Sequence, residues 1–178
     1  MIKIENMFQI PYLQLKVDNW DVKKEILNDM MDAEGENLEY YITVMSSYDY
    51  ASSQRNKKIQ SLLETEINTL KENFGFNYCE VVHSWFQEEK KYMFHGAHNH
   101  GIGTVSSVCY LEFDSEVHTP TVFISPFVDP LTGIYSEFSP EDVESGTMIF
   151  FPSSILHYTH QNKSNISRKI LSLNIDVK

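Results

Sequence analysis

Two histidines that stand two positions apart, His98 and His100, are the residues best suited to chemistry in this sequence. On an extended backbone this spacing points both side chains to the same side, so two imidazoles can converge on one small object. A metal ion is the obvious candidate, because neutral imidazole is the commonest metal ligand among side chains. A third ligand must come from elsewhere in the chain, and we predict His157 for that position.

The segment around His157 supports this choice. An apolar strand ends at a proline-serine turn, and His157 follows on the next strand. Arg168, eleven positions later, opens a further strand. A guanidinium facing a barrel interior needs an anion, and its planar fork fits a carboxylate. The alternative for Arg168 is a surface arginine at a strand start. One face of the predicted Arg168 strand comprises Arg168, Ile170, Ser172 and Asn174.

Composition and charge restrict the class of protein. With 178 residues, of which 42% are hydrophobic and 13% aromatic, the chain can bury the core of one globular domain. Its formal charge of -11 argues against a nucleic-acid surface but allows a cationic peptide or a small molecule. There is no membrane-spanning apolar stretch and no secretory leader pattern. We therefore expect a cytoplasmic protein with free, buried thiols at Cys79 and Cys109.

Helical patterns are confined to the first 75 residues. A first helix is predicted to begin after Asp18, a candidate N-cap, and to end near Met31. A stronger amphipathic pattern runs from Gln54 to Phe74, with Ser53 as its cap and Gly75 as its stop. The apolar stripe of this second helix predicts packing against a sheet.

From Phe76 onward the pattern is typical of β-structure. We predict a long functional loop or lid over residues 126–145, and an edge strand or strand pair over residues 1–17 that allows a homodimer. The predicted strands of the second half are 76–86, 104–113, 120–125, 146–151, 155–160 and 168–177.

This order of elements predicts a mainly β fold with N-terminal helices, of the α+β class. Residues 1–178 would form a single domain, in which residues 1–75 give helical support and residues 76–178 form the core. That core would be an antiparallel barrel or a double-sheet jelly roll.

Together these segments resemble the iron(II)- and 2-oxoglutarate-dependent oxygenases, in particular the small, often phage-encoded group with a His-x-His motif. The resemblance covers about residues 85–175. The matching segments, in order, are His98-Asn99-His100, the strand Ser106–Leu111 with its Tyr110-Leu111 pair, Gly146 and Phe151-Pro152-Ser153 before His157, and the Arg168 strand with Ser172 and Asn174.

The resemblance implies a double-stranded β-helix, a jelly-roll or cupin-like barrel with iron(II) at one end. By this analogy His98 and His157 are metal ligands, and His100 takes the position usually held by a carboxylate. Arg168 would bind the distal carboxylate of 2-oxoglutarate. The residues implied to assist it are Tyr110, Ser172 and Asn174.

The activity implied by the resemblance is hydroxylation of a C–H bond in a peptide side chain or a small metabolite. Molecular oxygen and 2-oxoglutarate would be the co-substrates. Four aromatic residues are candidates for a substrate entrance, although ordinary packing beside the site is the simpler interpretation. They are Trp85, Phe86, Tyr92 and Phe94.

The missing carboxylate leaves alternatives open, because non-haem iron oxygenases usually use two histidines and one carboxylate. A three-histidine site is one solution, and a carboxylate from elsewhere is another, although Asp114 lies at the far end of its strand. His95 could replace His100 if the loop folds back. Two other functions fit the same residues: a three-His cupin-like dioxygenase that does not use 2-oxoglutarate, and a non-catalytic barrel that serves as a binding module.

Overall fold

The computed structural model describes residues 9–33, 38–41 and 43–178. Ten strands, three α-helices and a short 3-10 helix are found in these residues. None of the helices in this part of the chain has the length and apolar character needed to cross a membrane. In chain order the elements are β1 (Leu13–Lys16), α1 (Trp20–Ala33), β2 (Glu39–Tyr41), β3 (Val44–Ser46), the 3-10 helix (Tyr48–Tyr50), α2 (Ser53–Leu62), α3 (Glu64–Phe74), β4 (Cys79–Glu89), β5 (Thr104–Glu112), β6 (Val122–Val128), β7 (Tyr135–Phe138), β8 (Thr147–Pro152), β9 (His157–Tyr158) and β10 (Arg168–Val177).

The strands form two antiparallel sheets. The major sheet has seven strands in the order β1-β8-β5-β10-β4-β3-β2, and the minor sheet has the order β7-β6-β9. Strands distant in sequence become neighbours, since β10 lies between β5 and β4 and β8 lies between β1 and β5. The predicted mainly β fold with few helices is confirmed. The first 75 residues are more than helical support, because β1, β2 and β3 extend the major sheet.

Alternate residues of the central strands divide the core into two apolar clusters. On one face of the major sheet, Cys109 and Leu171 are fully buried in the same cluster as Leu27, Ile59 and Leu70 of the three helices. The opposite face packs against the minor sheet through a second cluster. Its members include Val108, Tyr110, Phe123, Phe151 and Ile170. The helices therefore cover one face and leave the other for the site.

The long helix predicted from Gln54 to Phe74 is two helices. They meet at Leu63, whose φ of -105° and ψ of 26° depart from helical values. Hydrogen bonds from Leu63 to Ile59 and from Ile67 to Leu63 continue across the junction, so the apolar stripe stays on one side. The cap is Ser52 rather than the predicted Ser53, since Ser52 has the extended backbone that an N-cap requires.

The predicted loop at 126–145 is largely a hairpin. The end of β6 and all of β7 lie in it, and the Asp129 carboxylate accepts hydrogen bonds from the N–H groups of Leu131 and Thr132 in the turn. At the other end of the chain, β1 lies at an edge of the major sheet, as predicted for residues 1–17, although residues 1–8 are outside the described residues. Cys109 is buried and Cys79 is half-buried, and both thiols are free.

Candidate active site

Three imidazoles meet between the two sheets, although they come from two distant segments. His98 and His100 precede β5, and His157 begins β9. Backbone hydrogen bonds join the segments, because His98 and His157 exchange N–H to carbonyl bonds of 3.0 and 2.9 Å. One ring nitrogen from each of the three residues lies within 4.8 Å of the others. Among the described residues, this is the only group of three or more His, Cys, Asp or Glu side chains so arranged.

Backbone carbonyls fix how two of these rings present their nitrogens. The Nδ1 atom of His98 is 2.8 Å from the Gly96 oxygen, and that of His157 is 2.9 Å from the Ile155 oxygen. A carbonyl can only accept, so each Nδ1 carries the proton and each Nε2 keeps its lone pair. Both Nε2 atoms are therefore suited to bind a cation, with the ring orientation held from behind.

Burial lowers the pKa of all three imidazoles. For His100, burial and the neighbouring His98 lower the pKa from 6.5 to about 4. Burial is also the main cause for His98, and for His157, whose pKa lies well below its ordinary value. Neutral imidazole is the form that binds metals, so at neutral pH the cluster does not have to release protons first.

A fourth ring, His95, lies beside the cluster. It stacks on His98 with ring centroids 3.9 Å apart, and burial together with His98 lowers its pKa to about 3. Its Nδ1 is 3.0 Å from the amide nitrogen of Gln87, which can only donate, so the His95 Nδ1 accepts. His95 is thus a neutral neighbour of the three-histidine group, not one of its members.

Arg168 is buried between the sheets, and its anionic partner is Glu89 of the adjacent strand. The two side chains are each 2% exposed, and Nη1 lies 3.1 Å from Oε1. Nη2 donates to the Thr121 hydroxyl at 3.2 Å, and the guanidinium lies 5.2 Å from the centre of the Tyr110 ring. Tyr110 joins the same group, because its hydroxyl accepts from the Thr121 N–H at 3.0 Å. Arg168 Nε and Glu89 Oε2 have no partner in the described part of the chain.

The other two predicted residues lie further along β10. The Ser172 hydroxyl donates to the side-chain carbonyl of Gln87 at 3.3 Å. Asn174 accepts a 2.9 Å hydrogen bond from Ser106. Six positions of extended strand, about 20 Å, separate Asn174 from Arg168. The structure therefore brings Tyr110 to Arg168 and leaves Ser172 and Asn174 in separate contacts.

The sequence patterns do not single out Gln87, Glu89 or Thr121, which contact the predicted residues. Gln87 and Glu89 alternate with Trp85 on β4, so all three face the interior. Polar residues at alternate positions on the inward face of a strand are unusual where the other inward-facing residues are apolar. This pattern could have identified Gln87 and Glu89 as candidate site residues from the sequence. Their partners, however, depend on the pairing of β4 with β10, where Glu89 lies opposite Arg168.

Of the four aromatic residues proposed for an entrance, two line a cavity beside the histidines. Trp85 and Phe94 border a space of about 360 Å³ that also reaches His98 and His100. The Trp85 ring lies 5.3 Å from that of His100. Phe86 is instead fully buried in the core under the helices, and Tyr92 is 63% exposed outside this cavity.

Solved structures with this fold include several oxygenases. The chain superposes with a TM-score of 0.70 on the non-heme alpha ketoglutarate dependent carbocyclase SnoK from nogalamycin biosynthesis, with 10% identity over 93% of this chain and 79% of that one. HygX from Streptomyces hygroscopicus, with nickel and 2-oxoglutarate bound, gives a TM-score of 0.64 with 10% identity over 94% of this chain and 83% of that one. A prolyl-4-hydroxylase from Pseudomonas putida gives a TM-score of 0.56 with 16% identity over 95% of this chain and 94% of that one. The fold is therefore the double-stranded β-helix of 2-oxoglutarate oxygenases. No curated protein gives a significant sequence match.

Residues 83–174, just over half of the chain, match the model of the family described as "Putative 2OG-Fe(II) oxygenase". The chain belongs to this family. The matched segment contains the three clustered histidines and Arg168. The protein is a 2-oxoglutarate-dependent oxygenase whose cofactors are iron(II) and 2-oxoglutarate, as the resemblance implied. The family favours this function over a dioxygenase without 2-oxoglutarate and over a non-catalytic module.

Proposed function

We propose that the protein hydroxylates a C–H bond of a peptide side chain or of a small metabolite, with iron(II) held by His98, His100 and His157. The arrangement of the three imidazoles carries this proposal, since one nitrogen of each lies within 4.8 Å of the others. The fold is compatible with both substrate classes. Solved neighbours include prolyl hydroxylases, and HygX crystallised with hygromycin B.

The donor set fits iron(II), because imidazole nitrogens are suitable ligands for it. When bound, iron(II) and 2-oxoglutarate would together activate molecular oxygen, which is the oxidant for C–H cleavage. The protein's own contribution is to orient the two and to exclude water. Carbonyl groups hold the rings of His98 and His157, and the apolar side chains of Val108, Phe151 and Ile170 line the small cavity next to them.

We further propose that Arg168 holds the distal carboxylate of 2-oxoglutarate, with Thr121 and Tyr110 beside it. The guanidinium offers an edge for this purpose, because its Nε atom has no partner among the described residues. Its Nη1 and Nη2 atoms are already engaged by Glu89 and Thr121, which hold the side chain in place. In this arrangement the co-substrate shares the guanidinium with Glu89.

An anaerobic titration tests both assignments. Iron(II) is added first and 2-oxoglutarate second, while the visible charge-transfer band of the chelate is recorded and metal content is measured separately. We expect the band in the unmodified protein, no bound metal in His157→Ala, and bound metal without a saturating band in Arg168→Ala. His160→Ala changes an exposed histidine outside the cluster and should behave as the unmodified protein. Bound metal without any band in the unmodified protein would contradict the proposal.

His100 can be tested by restoring the usual carboxylate. We expect His100→Asp to retain metal and 2-oxoglutarate binding, because it recreates the two-histidine, one-carboxylate set. His100→Ala should lose at least about tenfold in metal affinity, measured by competition with a chelating dye. If His100→Ala binds iron(II) as tightly as the unmodified protein, His100 is not a ligand.

A further inference from the structure

We propose that the cavity beside the histidines is the substrate pocket, and that it selects an uncharged, mainly apolar ring or side chain over a carboxylate or a phosphate. The inference rests on the proposed function, because it takes the three histidines as the metal site. The cavity has a volume of about 360 Å³ and is bordered by His98 and His100, so a group inside it would lie next to the metal. This volume is typical of small-molecule pockets.

Aromatic rings form the walls of this cavity. Tyr48 and Trp85 meet edge to face with centroids 5.1 Å apart, and Tyr48 also stacks on His83 at 4.4 Å. Phe94 stands on the loop that leads to the histidines, and Tyr48 and Phe94 are 36% and 38% exposed. Rings held by their neighbours in this way offer faces and edges to a flat or apolar group at little cost in side-chain entropy.

The charges around the cavity argue against an anionic substrate. Lysine, arginine, aspartate and glutamate are all absent from the described lining residues, and the ionisable side chains among them are Tyr48 and the histidines. The sequence contains no lysine or arginine between Lys24 and Arg55, a stretch that includes the cavity-lining Thr43 and Tyr48. Arg55 itself is buried and donates to the Ser84 carbonyl.

A carboxylate or phosphate entering this cavity would lose water and would find no lysine or arginine side chain among the described lining residues. The contrast with Arg168 is direct, since the co-substrate side of the site has a buried guanidinium. Uncharged hydrogen-bonding groups are present in the cavity, including the side chains of Thr43, Gln87 and Asn99. They suit a neutral amide or hydroxyl attached to the apolar group. We therefore infer that a free organic acid does not enter with its acid group.

Intrinsic fluorescence offers a test that needs neither metal nor 2-oxoglutarate. The chain has two tryptophans, Trp20 and Trp85, so Trp20→Phe leaves the cavity residue as the sole reporter. The probes are benzamide, benzylamine and benzoate, which share one ring and differ in charge. We expect saturable changes with benzamide, and binding of benzoate at least about tenfold weaker, the ratio produced by a modest desolvation penalty. Benzoate binding as tightly as benzamide, or no saturable change with any probe, would overturn the inference.

Two variants locate the binding. Tyr48→Ala and Phe94→Ala, each made in the Trp20→Phe background, should weaken benzamide binding about threefold to tenfold through loss of an aromatic contact. Tyr135→Ala removes a ring that is 56% exposed on β7, outside the cavity, and serves as the control. Unchanged affinity in both Tyr48→Ala and Phe94→Ala would also overturn the inference. Failure of the metal site would leave these results unaffected, so the two proposals fail separately.

Discussion

At the scale of single residues, the ion pair between Glu89 and Arg168 bears directly on the proposed binding of 2-oxoglutarate. The carboxylate is buried, contacts the guanidinium at 3.1 Å, and accepts a second hydrogen bond from Thr159 at 2.7 Å. A carboxylate of 2-oxoglutarate that binds Arg168 would therefore lie close to a second negative charge. In a buried site such repulsion is poorly screened.

We expect Glu89→Gln to bind 2-oxoglutarate about threefold to tenfold more tightly, because the amide keeps the hydrogen bonds and removes the competing charge. The measurement is anaerobic calorimetric titration of the iron(II)-loaded protein, after circular dichroism has shown that the variant is folded. Glu88→Gln is the matched control, since Glu88 is next in sequence, faces the other side of β4, and pairs with Lys90. Weaker binding in Glu89→Gln would mean that Glu89 supports the co-substrate.

The structure brings together the residues that were predicted from local sequence spacing or from a turn. The spacing of His98 and His100 and the position of His157 after an apolar strand led to the cluster that the structure contains. Glu89 could not be predicted in the same way. Its role depends on the register of β4 against β10, and a shift of one residue would turn it to the other face.

At the scale of elements, the junction between α2 and α3 shows the limit of helical periodicity. An apolar stripe that continues across a kink is indistinguishable from one in a straight helix, so the break at Leu63 has no sequence signal. The sequence did not predict strand β7, because all four of its residues are exposed and no alternation of apolar and polar residues marks it. Two adjacent serines likewise gave no reason to prefer Ser52 over Ser53 as the cap.

The cap assignment is testable through stability. Ser52 accepts a 3.2 Å hydrogen bond from the Arg55 N–H, so Ser52→Ala leaves an N-terminal amide of α2 without its partner. We expect the free energy of unfolding to fall by about 1 kcal/mol. Urea denaturation followed by circular dichroism measures it. Ser53→Ala, one position later and exposed, should change it by less than about 0.5 kcal/mol. A larger loss in Ser53→Ala would contradict the assignment.

At the scale of the whole molecule, a buried ion pair ties the helical layer together. Lys23 of α1 reaches both oxygens of Glu66 of α3, at 2.9 and 2.8 Å, and Glu66 is 2% exposed. Glu66 also accepts from the Asp18 N–H at 2.8 Å, so the chain between β1 and α1 joins the same contact. We propose that residues 1–178 behave as a single domain, because the helices pack on one face of the major sheet and the minor sheet packs on the other.

We expect Lys23→Ala to reduce the free energy of unfolding by about 3 kcal/mol, since Glu66 is then left buried without its cation. Lys24→Ala is the control and should cost less than about 1 kcal/mol, because Lys24 pairs with the exposed Glu112. Urea unfolding should show one transition in each variant, with the helical signal and tryptophan fluorescence changing together. Equal losses in the two variants would contradict the role of the buried pair, and two separate transitions would contradict the single domain.

The donor set of the histidine cluster, three imidazoles among the described residues, bears on how the protein obtains iron. With His98, His100 and His157 as ligands, affinity for divalent metals rises from manganese through iron and nickel to copper, so the site has no intrinsic preference for iron. The metal that fills it is then set by the relative supply of each metal where the chain folds. Excess zinc or nickel would leave a folded protein that cannot activate oxygen, and its activity would follow iron availability more closely than its abundance.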